Sequence, residues 1–195
     1  MSHTVLLALH YQNEVMHGAG RIRLGTRDDT RRAELVAAAH ALLAGARAAS
    51  VPVVHVRIAF PKGHEGVLTN APIFRNVVAS GAMEEGSWGA EFFDGLEPRG
   101  GEAVVTHGRV NAFFESSLEE TLRGLDAGRL IVAGVATNSV VEHSVRHAAD
   151  MGYDVVVAAD ACSAADPAVH AAALFNLSLV AEVSAVDDIF PGVAA

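Results

Sequence analysis

Leu130-Ile131-Val132-Ala133-Gly134-Val135-Ala136-Thr137-Asn138-Ser139-Val140-Val141-Glu142 is the stretch that decides the fold. An apolar run of strand type ends at a glycine and passes directly into a helical pattern that continues to Asp150. A strand that turns at once into a helix aims several backbone N–H groups at one point. Such a turn suits a nucleophile and its oxyanion hole. This one contains no cysteine.

On both sides of the turn, short β-rich runs alternate with longer helical patterns. Thr4–Leu9, Pro52–Ala59, Ala103–Thr106, Arg129–Gly134, Tyr153–Ala159 and Glu182–Val186 read as strands. Most are unbroken Val/Leu/Ile/Ala runs, as in parallel sheets buried on both faces. Asp29 to Ala49 reads as the longest helix, with Leu35, Ala39, Leu42, Leu43 and Ala46 on one face. Ser117-Leu118-Glu119-Glu120 fits a capping box opening a helix that ends near Gly124. Asn138 to Asp150 is the helix of the focal turn, and Asp166-Pro167 opens a last one to about Ala181. The alternation predicts right-handed βαβ crossovers and a doubly wound, three-layer α/β domain with a six-stranded parallel sheet. Pro61 to Pro98 breaks the alternation: it reads as a long loop carrying Ile73, Phe74, Trp88, Phe92 and Phe93. Such a loop serves as a lid, a pocket wall or a subunit contact.

A length of 195 residues suits one domain over the whole chain, 1–195. With 51% hydrophobic and 19% charged residues, disorder is disfavoured. A net charge of −9 disfavours nucleic acid as a partner. Val5–Leu9 is too short for a signal-peptide core or a membrane span, and the single Cys162 permits no intrachain disulfide. A cytoplasmic protein with a small-molecule partner is expected.

In open parallel sheets, ligands bind beyond the carboxyl ends of the strands. There the chain places His10-Tyr11-Gln12-Asn13, then His107-Gly108-Arg109-Val110-Asn111-Ala112-Phe113-Phe114, then the focal turn. Val5–Asn13 is similar to the opening strand of the isochorismatase-like cysteine hydrolases, and His55–Phe60 to their second strand. Val104–His107 with Asn111–Phe114 resembles their third-strand stretch. Gly134–Glu142 resembles their active-site turn, approximately G-V-A-T-N-x-C-V-E, and Gly152–Val157 with Asp160-Ala161-Cys162 their fifth strand. The resemblance covers most of the chain. It implies strand order 3-2-1-4-5-6, a homo-oligomer (dimer or tetramer) and a cis peptide in the turn, expected at Ala136–Thr137.

Amidases of that family use an Asp, a Lys and a Cys that attacks a carbonyl carbon. The resemblance puts His10 at the Asp position, His107 at the Lys position and Val140 at the Cys position. A thioester route is then closed. Family isochorismatases cleave a vinyl ether without a cysteine nucleophile, but they resemble the amidases in having the Asp and a Lys.

Two histidines bring groups with an ordinary pKa of about 6.5. They could serve as general acid and base, hold an anion with Arg57 or Arg109, bind a metal, or simply fill space. Family metal sites resemble D-x-H with a further His after the second strand. Here Arg57-Ile58-Ala59-Phe60 precedes His64-Glu65, so neither metal nor cofactor is expected. His143 and His147 share a helix face, read as an ordinary polar one. Ser139 lies one residue before the nucleophile position, where a helix points it about 100° away. Ser139–Glu142 also fits a capping box that would occupy its oxygen. Cys162 is expected to be an inert buried thiol.

Catalysis is therefore expected at His10 and His107. Asn13, Phe60, Trp88, Asn111, Phe113, Thr137, Ser139 and Val140 are the candidates for substrate binding, although Asn13 and Asn111 also fit local turns and the aromatics a subunit contact. The expected function is small-molecule hydrolysis without a cysteine nucleophile. The alternative is a catalytically silent homologue that binds a ligand or serves as an assembly subunit.

Overall fold

In the computed structural model, residues 3–22 and 28–192 are described. Six strands, β1 (His3–Leu9), β2 (Val53–Ile58), β3 (Ala103–His107), β4 (Ala127–Gly134), β5 (Asp154–Ala158) and β6 (Glu182–Ser184), form one parallel sheet. Their order is β3-β2-β1-β4-β5-β6, as the family resemblance implies. The central pair β1 and β4 is paired through Ala8↔Ala133 and Leu9↔Gly134. Both strands are apolar throughout their inner halves, and Val5, Leu6, Leu7, Leu9, Leu130 and Ala133 are fully buried. Burial on both faces follows from helices on each side of a parallel sheet.

The helices are α1 (Asn13–Met16), α2 (Asp29–Ala48), α3 (Pro72–Ser80), α4 (Leu118–Gly124), α5 (Glu142–Asp150), α6 (Pro167–Leu177) and α7 (Val186–Ile189). The predicted apolar face of α2, Leu35, Ala39, Leu42, Leu43 and Ala46, is the face it buries. Asp166 caps α6 by accepting from the Ala168 N–H at 2.8 Å, and Pro167 opens it.

Several local expectations are corrected. The segment predicted as a long loop contains α3, which opens on Pro72 and closes on Gly81 in the left-handed region at φ 63°. Phe74 and Val77, one turn apart, are its buried face. The Ser117 capping box does not form; Ser116 Oγ instead accepts from the Leu118 N–H at 3.2 Å. Nor does Ser139 cap α5. Thr137–Val141 winds as a wider, π-type turn before α5 begins. The cis peptide lies at Val135–Ala136, one bond earlier than expected. Val186 starts α7 rather than ending β6.

At Gly134 there is no room for a side chain beside β1. A Cβ there would sit 2.1 Å from the Leu9 carbonyl oxygen, and φ is 148°. The glycine that ends the apolar run therefore lets β4 approach the end of β1, where His10 begins the site.

Candidate functional site

His10 follows β1, and its N–H donates to the Val56 carbonyl at 2.8 Å. Its backbone is left-handed, with φ 56°. His107 is the last residue of β3, paired with Ile58 of β2. Since β2 separates β1 from β3, the two imidazoles reach toward each other past the end of β2. Their Nε2 atoms are 2.6 Å apart, and the rings are stacked with centroids 4.8 Å apart. Both residues are buried.

Such a bond requires one Nε2–H and one bare Nε2, so both rings are neutral or share a single added proton. Burial pushes the His10 pKa well below 6.5, the neighbouring His107 pushes it further, and the Val135 backbone draws it part of the way back. Burial takes His107 down to about 4, against a pull upward from the Asn111 backbone. That backbone group does not meet hydrogen-bond geometry, because His107 Nδ1 is a buried atom without a partner. The orphaned Nδ1 is the bare nitrogen of His107, so at rest His107 donates through Nε2, His10 accepts there, and the His10 Nδ1–H faces Val135.

His10 opens onto a cavity of about 100 Å³ at the carboxyl edge of the sheet. Of the predicted residues, His10, Phe60 and Ser139 line it. Ile58, Ile73, Phe74, Val77, Met83 and Val110 join them, with Val135 and Ala136 of the turn. The sequence offered the segment with Ile73 and Phe74 as a lid, a pocket wall or a subunit contact, but α3, which sets Val77 beside them, was missed; its Pro72 and Gly81 brackets were the available signal. The remaining predicted residues lie off the cavity. His107 sits behind His10. Val140 is in the core, 1% exposed. Asn13 donates from Nδ2 to the Trp88 carbonyl at 3.0 Å, while Trp88 itself is 47% exposed and packs edge-on to His17. Asn111 Oδ1 accepts from the Phe113 N–H at 2.9 Å, a local turn, and Phe113 stacks near His147 at 4.9 Å. Thr137 is fully buried and its hydroxyl bonds His170 Nδ1 at 2.8 Å.

Cys162 is buried, and burial raises its thiol to about 12, so it holds its proton at neutral pH. Arg57 turns away to Glu85 and Thr106. Two nitrogens on one tetrahedral zinc would be about 3.3 Å apart; the 2.6 Å contact belongs to a hydrogen bond. Among the described residues no group of three or more His, Cys, Asp or Glu side chains could hold a metal ion.

Sheet order, the strand-to-helix turn and the ligand edge all belong to one architecture, and comparison with known proteins identifies it. The isochorismatase domain matches residues 4–188. The chain belongs to the isochorismatase family. Ureidoacrylate amidohydrolase RutB of Pseudomonas syringae pv. syringae is 30% identical over 199 positions, spanning 95% of this chain and 81% of that protein. The secreted isochorismatase effector Isc1 of Verticillium dahliae is 36% identical over 146 positions, 74% of this chain and 68% of the effector. Among solved structures, an isochorismatase family protein from Desulfovibrio vulgaris superposes with a TM-score of 0.85 at 25% identity, covering 97% of this chain and 98% of the other. The N-carbamoylsarcosine amidase of Thermoplasma acidophilum, at 22% identity, TM-score 0.76 and coverage of 95% and 97%, shares the fold.

Proposed function

We propose that this isochorismatase-family protein hydrolyses a small molecule without a cysteine nucleophile, through the His10–His107 pair. The observation that carries the reading is the 2.6 Å Nε2–Nε2 contact between two buried imidazoles, from the ends of β1 and β3 on either side of β2, one of them on the cavity. With Nε2 of His10 committed to His107, Nδ1 is the nitrogen that works toward the cavity. The working tautomer is the reverse of the resting one: the Nε2 proton shifts from His107 to His10, His10 Nδ1 gives its proton to a cavity water, and His107 Nδ1 takes one up. Water then attacks the electrophilic carbon and gives a proton to the bare His10 Nδ1, and His10 passes that proton to the leaving group as the carbon–heteroatom bond breaks. His107 accepts the His10 Nε2–H bond throughout, as the supporting member of the relay. His10 is the catalytic residue of the pair, and His107 positions it and fixes its tautomer. Val140 takes no part in bond making.

The second reading, a silent homologue that binds a small ligand, is favoured by one observation: the two Nε2 atoms already satisfy each other. A hydrolysis screen over amides, imides, enol ethers and lactones separates the two readings, run on wild type, His10→Ala and His107→Ala. The hydrolase reading expects activity that falls by about 10²-fold or more in His10→Ala. Full activity in both variants would sink the histidine mechanism. A cytoplasmic, self-associating protein remains part of the proposal; light scattering on the purified chain checks the association.

A further inference from the structure

Building on the reading of this cavity as the substrate site, we infer that it selects a small uncharged apolar group and rejects carboxylates. Its wall is aliphatic and aromatic, with Ile58, Phe60, Ile73, Val77, Met83 and Val110 facing the space. A volume of about 100 Å³ limits the bound group to a small ring or a short branched chain; an apolar cavity of roughly 150 Å³ accommodates benzene.

Arg109 is the only charged side chain on the cavity among the described residues, and its guanidinium is already engaged. It stacks 3.7 Å from the centroid of the Phe74 ring. Its Nη1 donates to the Leu68 carbonyl at 3.0 Å, and its Nη2 to Asn70 Oδ1 at 2.9 Å. The two arms that would grip a carboxylate as a fork point into the 68–70 loop instead. Nearby, the carboxylate of buried Glu14 accepts from the Arg21 N–H at 2.5 Å and lies 3.5 Å from the Met83 N–H, next to the wall. A carboxylate entering here gives up its water, finds no free fork and approaches a negative charge. An amide or ester of the same skeleton gives up far less hydration.

Calorimetric titration of the whole chain tests this with matched probes: isobutyramide against isobutyrate, and benzamide against benzoate. Each amide is expected to bind about ten-fold or more tightly than its carboxylate. Val110→Asp, which puts a charge on the wall, should abolish amide binding. Asn70→Ala, at an exposed position, releases one arm of Arg109 and should narrow the amide-to-carboxylate ratio by about three-fold or more with Tm unchanged. Carboxylates binding as tightly as amides, none of the four probes binding, or a ratio unmoved by Asn70→Ala would each overturn the inference. So would a carboxylate preference that disappears in Arg23→Ala/Arg27→Ala, since those arginines lie outside the described residues. Turnover is scored separately. Selective amide binding without hydrolysis leaves this inference standing and removes the hydrolase reading, whereas hydrolysis of an anionic substrate does the reverse.

Discussion

A histidine that must act as a base has to be neutral, and at this site burial keeps it so. His107 is held at about 4 and His10 well below 6.5. An ordinary histidine base loses activity as pH falls through about 6.5. Here the acid limb of kcat/KM should lie well below 6.5, with a flat profile from pH 6.5 to 8. The pair protonates as a unit, because a charge on one ring opposes a charge on the other. An acid limb at 6.5 in the wild type would mean that the essential base is some other group. Gly134 makes a second prediction at this scale. Gly134→Ala forces a methyl to within 2.1 Å of the Leu9 carbonyl oxygen, backbone that cannot swing aside. A loss of about 3 kcal/mol or more in denaturant unfolding is expected, with activity falling because His10 follows Leu9 directly. A fully stable variant would show that β4 can move away from β1.

At the scale of elements, what the sequence revealed depended on how far apart the signals were. The strand exits were legible because apolar runs end abruptly at His10, His107 and Gly134, and parallel sheets place ligands there. The wall opposite them was not, because α3 is nine residues long and buries only Phe74 and Val77, too few for a periodic pattern. Ser139 illustrates a different limit. Serine three residues before glutamate is a sound cap signal, but a π-type turn shifts the angular position of every following side chain, and Ser139 lines the cavity instead of capping α5. The local cap reading held at Asp166, where Pro167 fixes the first turn, and failed at Ser117, where Ser116 takes the Leu118 N–H instead. Asp166→Ala removes the only side-chain cap of α6 and should cost about 1 kcal/mol in denaturant unfolding. Through the Thr137–His170 bond it should also loosen the turn, visible as faster amide exchange at 137–141. Loss of stability with unchanged exchange there would show that α6 and the turn are independent.

The stability of the whole molecule should depend on acid in a window set by its buried histidines. His10, His55, His107 and His170 all have folded pKa values below 6.5, burial being the largest cause for each. Above pH 6.5 neither the folded nor the unfolded chain protonates them, so they cost nothing. As pH falls from 6.5 towards about 4, the unfolded chain takes up protons that the folded chain refuses, and stability drops. His10 and His107 each contribute a slope of up to about 1.4 kcal/mol per pH unit in that interval. Glu102 acts lower. Burial pushes its pKa up, but the Arg47 fork at 2.7 and 2.9 Å, the Arg99 N–H and His55 outweigh this and hold it at about 2. Its stabilisation is therefore complete above about 4.5 and is lost only as pH falls towards 2. Two acid phases should be separable by denaturant titrations at half-unit steps from pH 7.5 to 2.5. His10→Gln/His107→Gln should flatten the upper phase, since two of its four protons are gone, and leave the lower one in place. Glu102→Gln should remove the lower phase, with a lower stability at neutral pH from the broken fork. If the double histidine variant falls as steeply as the wild type between pH 6.5 and 4, the imidazoles at the site are not held neutral by the fold. The relay proposed for His10 would then lose its physical basis.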